Sequence, residues 1–348
     1  MEALQFDPQK KVLSLVQHEK PKITSDDELI VEVAYAGLCG TDIHIIGGEF
    51  PCSKKPVILG HEFSGVVREI GAGVNHVRVG DKVVIDPQSW CTTCEYCTTA
   101  RYHLCINGGV DFATGISVNG GWAKFSKVRA RQVYKIPPGL TLKQAALCEP
   151  ISCVVWGLER GVSNVPVGAK VLITGAGIIG NIWCIILHHL GHRKVTVVEP
   201  MEDRRIINKG LGTGFECLDP AELKRKYTSE EFDLAIECSG NATATEQALN
   251  SLRASGKLCI FGVASPHSKI TISPYEIYKK ELTIIGSNIN PFSMKKAIDL
   301  MEALDKKFLD IEKLGVNEYK LNEYQTGLEM LKKGAIAKVM FQIGTKLE

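Results

Sequence analysis

Four cysteines, Cys91, Cys94, Cys97 and Cys105, stand in the spacing C-x2-C-x2-C-x7-C, and no other stretch limits the possible folds so severely. Thiolates a few residues apart can close around one ion within a single loop, so the spacing predicts a tetrahedral four-cysteine zinc site. Threonine, glutamate, tyrosine and histidine between the thiols make a poor core segment, which argues against four unrelated buried cysteines. A site with four protein ligands keeps no open position, so this loop braces the fold and the chemistry belongs elsewhere. No basic region leads into an apolar run at the N-terminus, and the expected compartment is the cytoplasm. The twelve cysteines are therefore expected to serve metal and thiol chemistry, with no disulfide framework.

A chain of 348 residues exceeds one hydrophobic core, and two domains are expected. Hydrophobic residues at 45% and charged residues at 23% describe an ordinary globular protein. A net charge of +2 offers no electrostatic case for nucleic acid or an anionic membrane as partner. The most apolar stretch, Ile178 to Leu187, is far short of the ~20 residues a membrane span needs.

The first part of the chain carries short β-rich runs, Glu28 to Tyr35, Glu62 to Ile70 and Lys82 to Ile85, separated by Gly, Pro and Asp turns. This pattern predicts a compact antiparallel β domain. From about Ile151 helix and strand alternate: helix Cys148 to Arg160, strand Lys170 to Thr174, helix Ile178 to Leu190, and strands Lys194 to Glu199, Leu234 to Glu237, Lys257 to Phe261 and Leu282 to Gly286. Such alternation predicts a parallel, doubly wound sheet. Amphipathic helices at Ser293 to Leu304 and near Tyr324 to Lys333 precede a β-like segment, Lys338 to Ile343. That last segment needs a partner strand, which the N-terminal domain can supply.

At the first strand-to-helix junction stands Gly175-Ala-Gly177-Ile178-Ile179-Gly180. Gly175 allows a tight turn, Gly177 lets a pyrophosphate approach the backbone at the helix N-terminus, and Gly180 permits close helix packing. The next strand ends in Glu199, 19 residues beyond Gly180, where a carboxylate accepts hydrogen bonds from the ribose hydroxyls and repels a 2′-phosphate. NAD is the expected cofactor. Arg204 and Arg205 are the features that favour a phosphate instead; both are read as lying alongside the adenine.

Cys39, Thr41, Asp42 and His44 form one polar cluster, His61 and Glu62 a second, and Glu149 stands before Pro150 where the two domains meet. Sulfur, nitrogen and oxygen ligands with one position left open describe a catalytic zinc. Joined to Gly60-His61-Glu62, Gly80-Asp81-Lys82, the four clustered cysteines, Gly120-Gly121-Trp122, Glu149-Pro150 and the glycine loop, this pattern resembles the zinc-dependent medium-chain dehydrogenases of the alcohol and polyol dehydrogenase family. The resemblance runs through nearly the whole chain. It implies an α/β architecture with a GroES-like β-rich catalytic domain from residues 1–152 and 290–348, a Rossmann domain inserted at 153–289, and the active cleft between them.

Carried onto this chain, the resemblance makes Cys39, His61 and Glu149 ligands of the catalytic zinc, with Glu62 an acid that ligates directly or through water. A second, structural zinc sits on Cys91, Cys94, Cys97 and Cys105. A glutamate at position 149 is similar to the sorbitol, xylitol, butanediol and threonine dehydrogenases, and the surrounding sequence is most like the polyol members. All four cysteines of the structural site are kept here, unlike in animal sorbitol dehydrogenases. The implied reaction oxidises a secondary alcohol, with Thr41 taking the hydroxyl proton and passing it towards the ribose and His44. Cys238, Val263, Ser287, Asn288 and Lys338 are implied as further cofactor contacts, Lys338 by approaching the ribose. Phe50, Phe112 and Glu149 are expected to line the substrate cleft, and a homodimer or homotetramer is the family expectation. Three readings stay open: a polyol dehydrogenase, a threonine or butanediol dehydrogenase of the same mechanism, and a relative that has lost turnover.

Overall fold

The computed structural model of the chain describes residues 1–162, 164–227, 230–304 and 306–344, and residues 110 and 111 by their backbone only. The last four residues of the expected catalytic domain, 345–348, lie outside the described residues.

The strand Glu28–Leu38 organises the N-terminal half, because its run of aliphatic side chains is buried almost without interruption. One edge takes Phe63–Ile70 in antiparallel pairing. The other edge is shared between Phe125–Arg129 and Lys338–Gln342, the second arriving from the far end of the chain to set Val339 opposite Leu38 and Phe341 opposite Ala36. Lys82–Ile85, Val133–Lys135 and Val316–Tyr319 complete this sheet. Val316–Tyr319 runs parallel to Lys338–Gln342, a crossover through the helix Tyr324–Lys332 that the sequence reading did not include. A separate three-stranded sheet joins Glu2–Asp7 to Val12–Gln17 and Val57–Ile58.

The second large sheet is parallel throughout, in the order Glu216–Leu218, Val195–Val198, Val171–Thr174, Phe232–Glu237, Leu252–Ile260 and Thr283–Gly286. This is the doubly wound order, and the winding reverses between Val171–Thr174 and Phe232–Glu237, where such sheets open a ligand crevice at their C-terminal ends. The helix Ile178–His189 behind the glycine loop is buried from Gly180 to Leu187, as an apolar sequence on all faces requires.

Two boundaries differ from expectation. The helix that starts at Cys148 ends at Gly157 and passes into a π-turn, Leu158–Val162, which Gly161 breaks at φ 152°. The strand expected from Lys257 begins at Leu252. Glu202–Gly210, Pro220–Lys226, Ala242–Asn250 and Pro274–Lys280 are further helices with too few buried positions to show a strong apolar period in the sequence. One hydrophobic core links Ile151 and Val154 to Ile182 and Trp183 and on to Met294, Ala297 and Ile298. The helices Cys148–Gly157 and Met294–Ala303 thus meet in the core that lies against the parallel sheet.

Candidate active site

The loop from Cys91 to Cys105 gathers its four sulfurs within 4.8 Å of one another. Cys94 and Cys97 are 3.5 Å apart, Cys94 and Cys105 3.8 Å, and Cys91 and Cys97 3.9 Å. Four sulfurs about 2.3 Å from a central zinc stand about 3.8 Å from each other, so the spacing fits that ion. The amides of Cys91 and Cys94 point at Cys105 Sγ and Cys91 Sγ, each at 3.4 Å, which suits negative sulfur. Crowding splits the thiols. The Thr93 hydroxyl, helped by backbone amides, holds Cys91 down to about 5, while burial and then the Cys94 thiol push Cys97 up to about 12. Four thiolates at this range require a cation among them.

The same loop is tied to the rest of the molecule through Tyr102, whose hydroxyl donates to Asp86 Oδ2 at 3.1 Å and accepts the Phe292 amide at 3.0 Å. Trp90 stacks on the Tyr102 ring and Phe292 meets it edge-on. Asp86 is fully buried, and burial pushes its carboxyl up to about 7 against the hydrogen bonds from Gln88 and Tyr102.

The second cluster is built where the strand Glu28–Leu38 turns into the helix Gly40–Gly47. Cys39 caps that helix, and its amide donates to Asp42 Oδ2 at 2.8 Å in a capping box. The other Asp42 oxygen faces His61 Nδ1 at 3.4 Å, leaving Nε2 as the nitrogen free for a metal. Gly60, just before His61, holds φ +91° with the Trp122 ring where a Cβ would be, and Trp122 Nε1 donates to Gly37 O at 3.0 Å. Cys39 Sγ, a His61 ring nitrogen and a Glu62 carboxylate oxygen consequently lie within 4.8 Å of one another. Burial works against a charged His61, yet Asp42 and then Cys39 together more than offset it and hold the imidazole well above its ordinary value. A metal cation would take the place of that proton, and a half-buried thiolate with a buried imidazole and carboxylate forms a donor set that fits zinc with a position left open.

Glu149 lies in the first turn of the helix Cys148–Gly157 and is buried. It stands beside the three-residue cluster, not within it. Burial pushes its carboxyl up to about 7 against the pull of His61, and Cys153 Sγ approaches its Oε1 at 3.6 Å. Thr41 Oγ1 lies 3.7 Å from Cys39 Sγ. His44, one turn further along the same helix, meets Glu49 Oε2 at 2.8 Å through Nδ1. Lys338 Nζ, fully buried, pairs with Glu62 and donates to Leu38 O at 3.2 Å. Pairing of Lys338–Gln342 with the end of Glu28–Leu38 carries the ammonium there.

A cavity of about 410 Å³ opens at the reversal point of the parallel sheet, lined by Gly175, Gly177, Glu199, Arg204, Cys238 and Ser239 among others. Glu199 accepts the Ala176 amide at 2.8 Å and the Met201 amide at 2.9 Å, so its carboxylate is anchored to the glycine loop. A Cβ at Gly180 would strike Gly175 O, which accounts for that glycine. Ile178, Ile179 and Gly180 open the helix behind the loop and do not line the cavity; nor do Val263, Ser287, Asn288 or Lys338. Val263 follows the strand Leu252–Ile260 and is half-exposed, while Ser287 and Asn288 follow Thr283–Gly286. Arg205 turns away, donating to Glu199 O and Pro200 O. Phe50 lines a separate cavity of about 470 Å³ with Lys11 and Lys54, and Phe112 is exposed.

Three side chains in this region had no assigned role in the sequence. Asp42 orients His61, and its signal was local: an acid three residues after a helix cap. Glu237 receives the Ser239 and Gly240 amides at 2.6 and 2.9 Å, shaping the loop against the cavity; an acid at a strand end before Cys-Ser-Gly was the available sign. The third is Cys153, whose Sγ lies on the Glu149 carboxylate.

Residues 25–138 match the alcohol dehydrogenase GroES-like domain and residues 179–303 match the zinc-binding dehydrogenase family. D-arabinitol dehydrogenase 1 of Uromyces fabae is 30% identical over 95% of this chain and 94% of its own. This chain belongs to the zinc-dependent medium-chain dehydrogenases. Another member, L-threonine 3-dehydrogenase of Aliivibrio fischeri, is also 30% identical, over 94% of both chains. A zinc-binding dehydrogenase of Sinorhizobium meliloti, solved with NADP, superposes with a TM-score of 0.86 at 29% identity, covering 98% of each chain. The family is one of zinc- and nicotinamide-dependent oxidoreductases, so the GroES-like and Rossmann architecture and the two cofactors follow for this member. Among the described residues no helix is long and apolar enough to cross a membrane.

Proposed function

We propose that this dehydrogenase uses NAD to oxidise a secondary hydroxyl of a sugar alcohol reversibly to the ketose. The observation that carries the reading is the buried acid Glu149 beside Cys39, His61 and Glu62, because a site with two carboxylates next to its thiolate suits a substrate rich in hydroxyls. Relatives of similar rank act on arabinitol and on threonine by name, so an amino alcohol is the competing substrate.

In this reading Cys39, His61 and Glu149 would hold the metal, and Glu62, paired with Lys338 and close to Cys39 and His61, would ligate it directly or through water. When bound, zinc supplies a Lewis acid that lowers the pKa of a substrate hydroxyl, and the nicotinamide supplies the hydride acceptor. Asp42 keeps the His61 ring in one orientation. The Thr41 hydroxyl, next to Cys39, accepts the substrate proton, and His44 with Glu49 exchanges it with solvent. Residues 1–152 with 290–348 serve as one unit and 153–289 as the other, and Glu149 stands near their junction.

Cofactor choice falls to Glu199 and Arg204. The anchored Glu199 carboxylate disfavours a 2′-phosphate, whereas Arg204 lines the same cavity with its Nε buried and without a hydrogen-bond partner. The Sinorhizobium relative, with NADP, shows why the choice needs a test. Steady-state reduction of NAD and NADP is to be measured over four- to six-carbon sugar alcohols, threonine and butane-2,3-diol, with zinc assayed in parallel. Turnover of a polyol with NAD, lost in Glu149→Ala, is the expected result. Turnover confined to threonine, or faster with NADP, overturns the substrate or the cofactor assignment respectively.

A further inference from the structure

We propose that Cys153 is a positioning residue for the catalytic metal, acting through Glu149; the inference rests on reading Glu149 as a ligand. The helix Cys148–Gly157 is buried over most of its length, and its two partly exposed side chains are Cys153 and Trp156. Glu149, Cys153 and Trp156 are spaced four and three residues apart and share one helical face. That face carries the half-buried side chains of the helix, and Trp156 on it meets the His103 ring.

Two separate restraints act on Glu149. Its main chain is held by Ser152 Oγ, which donates to Glu149 O at 2.6 Å and itself accepts from Asn290 Nδ2 at 2.8 Å. Its carboxylate is held by Cys153, whose thiol donates to Oε1 at 3.6 Å. Among the described residues no other side chain hydrogen-bonds to that carboxylate. With Oε1 engaged by the thiol, Oε2 is the oxygen left to turn towards Cys39, His61 and Glu62. A flexible glutamate gains a preferred rotamer in this way, and less freedom remains to be lost when the metal is bound.

The test compares the natural protein with Cys153→Ala, Cys153→Ser and Glu149→Ala, each loaded with zinc or cobalt. Affinity at the Cys39 site is read by chelator competition and ligand geometry by the visible absorption of cobalt, with the four-cysteine site as internal reference for intact folding. Outer partners of metal ligands contribute 10- to 100-fold in affinity, and a thiol is a weak donor, so Cys153→Ala is expected to weaken binding by about 3- to 10-fold. It should also shift the cobalt bands. Cys153→Ser keeps a donor and is expected to restore both readings. Unchanged affinity and bands in Cys153→Ala, or no restoration by serine, overturn the positioning role. Should Glu149→Ala itself leave affinity and bands unchanged, Glu149 is not a ligand, and the functional reading falls along with this proposal.

Discussion

Lys338 and Glu62 form an ion pair closed to solvent, with side-chain exposures of 1% and 2%. Burial alone lowers the ammonium's pKa, but Glu62, with Cys39 behind it, holds it above its ordinary value. The pair joins the last strand of the chain to the candidate metal centre. Replacing Lys338 by Met keeps most of the volume and strands the carboxylate. Breaking one side of a buried pair costs about 3–5 kcal/mol, so urea denaturation of Lys338→Met should show a loss of that size. A loss within the range of a surface pair, about 1 kcal/mol or less, speaks against a buried pair.

Asp42 touches His61 but no site for substrate, so its effect should appear in metal retention. Asp42→Asn keeps the shape and removes the charge facing Nδ1. The expected outcome is a fall of about 10- to 100-fold in zinc affinity at the Cys39 site, with the four-cysteine site still filled. Chelator titration followed by metal analysis reads both, and equal affinity in the variant refutes the orienting role.

The four-cysteine loop should lose its ion when one thiol is removed. Cys94→Ser is expected to lower bound zinc by about one ion per chain. Because Tyr102 ties the loop to Asp86 and Phe292, thermal unfolding should also begin at a lower temperature. Full zinc content in the variant contradicts a site made of these four thiols.

Asp86 carries a pH signature. Its carboxyl is pushed up to about 7 by burial from an ordinary 3.8, so between these values the folded chain keeps a proton that the unfolded chain has released. Stability from this group is therefore greatest below about pH 4, declines as pH rises to about 7, and is level above it. The full difference is at most about 4 kcal/mol. Asp86→Asn removes the titration, so denaturation at pH 5 and pH 8 should show a smaller fall in stability than in the natural chain. Parallel curves for the two proteins show that Asp86 does not titrate in this range.

Features whose geometry is local were legible before the structure. The four cysteines lie within one loop, and the glycines at 175, 177 and 180 sit at a single strand-to-helix turn, so spacing along the chain is nearly spacing in space. The helix Pro220–Lys226 went unread, because its polar surface shows no apolar periodicity, although Asp219 and Glu222 form a capping box at its start. Lys338 could not be placed from its neighbours. Its position depends on the register of Lys338–Gln342 against Glu28–Leu38, and a shift of one residue would turn the side chain to the other face.

The sequence by itself determined the zinc loop, the dinucleotide turn and the family, because each rests on residue types at short, fixed separations. Only the tertiary structure decided that Lys338 pairs with Glu62 and that Asp42 faces His61. Those contacts join residues from different elements, and which atoms meet there is set by strand register, helix rotation and burial of charge, none of which is encoded in any one segment.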